Sequence, residues 1–93
     1  MTELVDYKEL YEIILKLKTI EDCEDFFSDL CTYKELDSMS QRLSAAKYLI
    51  NGATYDKINK ELNIAPATLS RVNNCVKRGK GYKKFLKQEK ENK

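Results

Sequence analysis

Apolar residues recur along this chain at helical spacing, and the pattern predicts helices from one end to the other. Leu4, Tyr7, Leu10, Tyr11, Ile14 and Leu17 line one side of a first helix capped by Thr2, with Val5, Ile13 and Leu15 adding apolar surface on other sides. Thr19 and Asp22 open a second helix that runs through Phe26, Phe27 and Leu30. Thr32 and Glu35 have the spacing of a capping box, so a third helix is expected from Tyr33 to about Asn51. Its apolar residues are Leu36, Met39, Leu43, Ala46, Leu49 and Ile50, and Gly52 ends it as a glycine just past the cap. Thr54 caps a short fourth helix carrying Ile58 and Leu62. Asn63 tolerates a left-handed backbone, Ile64 plugs the turn, and Pro66 suits a first helical position. The fifth helix hides Leu69, Val72 and Val76, and Gly79 closes it. Tyr82, Phe85 and Leu86 sit at helical spacing on a last helix that frays into a mobile basic tail. No stretch alternates cleanly enough for a strand, so the fold class is all-α with about six helices.

Two short helices joined by a tight turn and clamped by apolar residues spell a helix-turn-helix, which places its second helix in the DNA major groove. The chain then reads as one domain in three parts. Residues 1–53 form a helical core and dimerisation region, 54–78 the helix-turn-helix, and 79–93 the last helix and tail. The first helix is apolar on several sides, and a second subunit is the natural supplier of the neighbours it needs.

Outward on the fifth helix stand Pro66, Ala67, Ser70, Arg71, Asn73, Asn74 and Lys77. Residues near its amino end reach base edges first, so Pro66, Ala67, Thr68, Ser70, Arg71 and Asn74 are the expected base contacts. Asn73, Lys77 and Arg78, with Lys57 and Lys60 of the fourth helix, are the expected phosphate contacts. Thr68 is read equally as a thymine-methyl contact and as a hydrogen-bonding group within the first turn. Arg71 is read as a DNA contact, a solvated cation or a salt-bridge partner. Ala65, at the N-cap, has no side chain to cap with.

Charge sharpens this reading. Residues 1–54 hold 6 Lys/Arg against 11 Asp/Glu, a net of −5, and residues 55–93 hold 11 against 4, a net of +7. An acidic front and a basic back suit a protein whose back half faces phosphate. The same basic face also suits an acidic protein, so a helical protein-interaction module is the alternative. The chain has no histidine, no nucleophile–base pair and no phosphate-cradling glycine loop, so an enzyme is not expected. The three cysteines lack C-x-x-C spacing, which suggests neither a disulfide framework nor a metal site. Cys23 and Cys31 are expected to fill a core in a reducing cytosol. No membrane span and no secretory amino terminus are read from the sequence, which makes the expected location cytoplasmic.

The segments LCTYKELDSMSQRLSAAKYLINGATYDKI and ATLSRVNNC, followed by GKGY, resemble the Trp-repressor-like family, in its YerC/YecD branch. The resemblance spans about Phe26 to Tyr82. It implies an intertwined homodimer, double-stranded DNA as partner, transcription regulation and work at the bacterial nucleoid. It also makes a long polar residue such as Asn59 normal at that position. The two arginines that sandwich tryptophan in the Trp repressor fall on Arg42 and Arg71, and a ligand-holding threonine falls on Thr32. Arg42 and Arg71 are read first as groups for DNA phosphate or structural pairing, and Thr32, Arg42 and Arg71 in the alternative as the candidate site for an unknown ligand or anion. Val72 stands where the repressor has a glycine that leaves room for the indole, and a β-branched side chain there should occupy that space. Cys75 replaces a serine that helps hold the ligand. Tryptophan is accordingly not expected as an effector, and no cofactor is expected. A guanine-reading arginine of the family falls on Asp56, so a different operator sequence is implied.

Overall fold

A computed structural model describes residues 6–86. Six helices make up the described chain: α1 (Lys8–Ile14), α2 (Ile20–Leu30), α3 (Tyr33–Ile50), α4 (Tyr55–Leu62), α5 (Pro66–Arg78) and α6 (Gly81–Phe85). The architecture is all-α, as the periodicity predicts. The chain divides into two compact units, Met1–Lys34 and Glu35–Lys93.

In the first unit, α1 begins at Lys8, and the expected cap Thr2 lies outside the described residues together with Leu4 and Val5. The Asp6 carboxylate accepts the Lys8 backbone N–H at 3.0 Å, a local bond that competes with helix continuation. The stripe also fails to reach Leu17. The N–H groups of Lys16 and Leu17 donate to the carbonyls of Ile13 and Ile14, three residues back, which tightens and ends the helix. The start of α2 is as expected. Thr19 Oγ1 accepts the Asp22 N–H at 2.9 Å, and the Asp22 carboxylate accepts the Lys18 N–H at 3.0 Å. No residue of α1 or α2 is buried. Cys23 is exposed and Cys31 half-buried, so neither is enclosed in a core within this unit.

The second unit contains the core. Ala45 and Ala46 of α3, Ile58 of α4, Ile64 of the turn, and Leu69 and Val72 of α5 form one buried cluster. Tyr48, Leu49, Leu62, Val76, Tyr82 and Leu86 pack around it. On α3 the enclosed positions are not all those of the expected stripe. Leu43 and Met39 stay exposed, while Ala45, on a neighbouring face, is fully enclosed. The helix thus has two apolar faces, and this unit covers one of them. Phe85 of α6 is likewise exposed, although Tyr82 and Leu86 turn inward.

The connections follow from local chemistry. Gly52 takes φ +88°, its N–H bonds to Leu49 O and the Ala53 N–H to Tyr48 O, the paired bonds of a Schellman ending. Thr54 Oγ1 caps α4 by accepting the Lys57 N–H at 3.1 Å. Asn63 ends α4 in the left-handed conformation, at φ 52° and ψ 45°. Ala65 makes no side-chain cap bond, and Pro66 enters α5 at its first turn. Replacing Asn63 with valine should cost about 1–2 kcal/mol, since a β-branched residue pays the full left-handed penalty. Thermal melts should show Tm lowered by roughly 5–15 °C for a domain this small. Asn63→Gly should leave Tm nearly unchanged, because glycine adopts this conformation freely.

Candidate nucleic-acid interface

The inner side of α5 is fixed by Leu69 and Val72, 2% and 1% exposed, with Val76 half-buried a turn later. The opposite side is open. Pro66, Ala67, Ser70, Arg71, Asn74, Lys77 and Arg78 are all exposed. Thr68 and Asn73 are half-buried on the flanks of that row. Ala67, Ser70, Arg71, Asn74, Lys77 and Arg78 follow one another at three- and four-residue steps, so they form a continuous ridge. The helix is 13 residues long, about 20 Å at 1.5 Å per residue, which exceeds the width of a DNA major groove.

The ridge is electropositive. From Leu62 to Leu86 the chain carries Arg71, Lys77, Arg78, Lys80, Lys83 and Lys84 and not one carboxylate. On α4, Lys57 and Lys60 are exposed. The Lys60 ammonium lies 3.5 Å from Asp56, four residues earlier and on the surface, a pair too solvated to immobilise the lysine.

Two polar contacts join α3 to the end of α4, and neither follows from periodicity. Gln41 Nε2 donates to the Leu62 carbonyl at 3.3 Å. The Tyr48 hydroxyl donates to Glu61 Oε1 at 2.5 Å. The hydrogen bond to Glu61, with some desolvation and the nearby negative charge, raises the Tyr48 pKa above its usual value. The available sequence signal was slight: two polar side chains seven residues apart, bracketing the alanines of α3.

The family model for the Trp repressor protein matches residues 5–90. This chain belongs to the Trp repressor family. Bacillus subtilis (strain 168) has a relative, the uncharacterized protein YerC, that is 44% identical over 84 residues, covering 89% of this chain and 81% of that one. A TrpR-like protein from Eubacterium eligens superposes with a TM-score of 0.84 at 38% identity, over 89% of this chain and 91% of its own. The crystal structure of a candidate Trp repressor from Staphylococcus aureus gives 0.82 at 42% identity, over 85% and 80%.

As a Trp repressor-family chain, it raises the question of the residues that the likeness marks as a ligand site. Arg42 is half-buried on α3 and Arg71 exposed on α5, both in the second unit, while Thr32 is exposed in the first. Val72 is enclosed in the core cluster with Ile58, Ile64 and Leu69, and Cys75 is half-buried beyond it. Among the described residues no group of His, Cys, Asp or Glu has the arrangement to hold a metal ion. No described helix is long and apolar enough to cross a membrane.

Proposed function

We propose that this chain is a sequence-specific, DNA-binding regulator of transcription that works as a homodimer at the bacterial nucleoid, in the cytoplasm. Each copy lays residues Ala65 to Asn74 into one major groove, and the two half-sites lie about one helical turn, roughly 34 Å, apart. The observation that carries this reading is the division of α5: Leu69 and Val72 are sealed into the core, and the opposite ridge from Pro66 to Arg78 is open, without a carboxylate. In this reading Pro66, Ala67, Thr68, Ser70, Arg71 and Asn74 meet base edges, and Lys57, Lys60, Asn73, Lys77 and Arg78 meet phosphates.

Dimerisation is supported by what the single chain leaves uncovered. Tyr7, Tyr11, Leu15, Ile20, Leu30, Tyr33, Met39 and Leu43 are exposed, and α1 and α2 bury nothing. A soluble chain seldom leaves so much apolar surface in water unless a partner covers it. Membership of the Trp repressor family points the same way.

The test is selection of duplexes from a random pool, followed by gel shifts over a salt series. The wild type should enrich one motif with two related halves, and log affinity should fall steeply with log salt. Lys77→Gln should weaken all sequences alike and flatten the slope by about 0.9 for each phosphate no longer neutralised, close to 2 for a dimer. Enrichment of no motif, or co-purification of an acidic protein in place of nucleic acid, would favour the interaction-module reading.

Tryptophan is not the effector in this proposal, because the likeness places Val72, a β-branched residue, where the Trp repressor has the glycine that leaves room for the indole. Millimolar tryptophan should leave Tm unchanged, and a reproducible rise would show binding to the folded chain.

A further inference from the structure

The face that α3 offers to the helix-turn-helix is centred on Ala45 and Ala46, both fully buried. Methyl groups let the helices approach closely but offer little relief for side chains to interlock. Apolar burial is also non-directional. Contact with Ile58 and Leu69 therefore sets the separation of the layers more firmly than their rotation. The two polar contacts lie to either side of this smooth patch. Gln41 and Tyr48 are seven residues apart on α3, two turns or about 10 Å. Their bonds land on Leu62 and Glu61, consecutive residues at the end of α4, immediately before the Asn63 turn that launches α5. One bond would let the end of α4 slide along α3, whereas two from points spaced along α3 hold that end, and with it the turn into α5, at one place.

We infer that Gln41, Tyr48 and Glu61 are positioning residues that set the pitch at which α5 enters the groove, and hence sequence discrimination, without touching DNA themselves. This rests on the DNA-reading proposal above. Hydrogen bonds suit the task because they are directional, unlike the alanine contact they flank.

The test uses the full chain with Tyr48→Phe, Gln41→Leu, Glu61→Gln and Glu61→Leu, and two readouts. The first is the ratio of affinities for the selected duplex and an unrelated one. Tyr48→Phe and Gln41→Leu should each lower that ratio about fivefold, the scale of one hydrogen bond, with affinity for the unrelated duplex and its salt slope unchanged. Glu61→Gln and Glu61→Leu remove the same charge, but only glutamine keeps an acceptor for the phenol, so Glu61→Gln should hold the ratio and Glu61→Leu should lower it. The second readout is amide hydrogen exchange. Tyr48→Phe and Gln41→Leu should speed exchange severalfold in α4 and α5 and leave α2 as it was. An equal drop in affinity on both duplexes, or identical behaviour of the two Glu61 variants, overturns the inference. Should the wild type prefer no sequence, the DNA reading fails by itself and exchange decides the positioning role: unchanged protection of α4 and α5 overturns it, and faster exchange upholds it.

Discussion

Replacing Ala67 with glutamate should lower affinity for the selected duplex about 100-fold, close to 2.8 kcal/mol, while the protein stays folded. Ala67 is exposed at the second position of α5, where a base edge or a phosphate would be its nearest neighbour in the docked complex. In that complex a carboxylate there would meet the negative phosphates and would add bulk where a methyl group would fit. The first turn of α5 contains no acidic residue, and a negative charge near a helix amino terminus is favourable by a few tenths to about 1 kcal/mol. Tm should therefore hold or rise slightly. Weak binding with a normal melt separates impaired recognition from impaired folding, and circular dichroism beside the gel shift reads both. Unchanged affinity would mean that this end of α5 does not enter the groove.

Ile58→Ala should have the largest effect on stability. Ile58 is fully enclosed, and it is the residue through which α4 joins the α3 alanines and the inner side of α5. Removing its outer carbons forfeits their burial and leaves a cavity, a loss of about 3 kcal/mol for a tightly packed site. In a domain of this size that lowers Tm by roughly 12–24 °C. The neighbouring alanines have no side chains that could swing in to fill the gap, so little relaxation is expected. A shift of only 1–2 °C would mean that the α3–α4–α5 contact is looser than the buried cluster implies.

The local features of this fold were legible because each is decided within a few residues. Thr19 and Thr54 cap by reaching three residues ahead, Gly52 and Asn63 take backbone angles that few residues tolerate, and Pro66 needs no donor where it sits. The anchors Ile58, Ile64, Leu69 and Val72 were legible for a related reason: within so short a motif the spacing fixes which side faces in. Helix α3 was harder. It has two apolar faces, and periodicity alone ranked Met39 and Leu43 with Ala46, although the second unit buries Ala45 with Ala46 and leaves Met39 and Leu43 open. The start of α1 at Lys8 does not follow from apolar spacing, which does not register the Asp6 carboxylate taking the Lys8 N–H. The Gln41 and Tyr48 contacts join residues 21 and 13 positions apart, so they exist only once α3 and α4 are packed. Of the candidate site, the outward row of α5 was readable from the inward one. Thr68 and Asn73 sit half-buried at its margins because a helix has flanks as well as two faces.

The most direct test of the reading is a chemical footprint of the wild-type chain on a duplex it has itself selected, beside the Ala67→Glu chain on the same DNA. The expected result is two major-groove patches about one helical turn apart, shielded from guanine methylation by the wild type and laid bare by the variant. Protection confined to the minor groove, or groove protection that survives Ala67→Glu undiminished, would contradict the placement of α5.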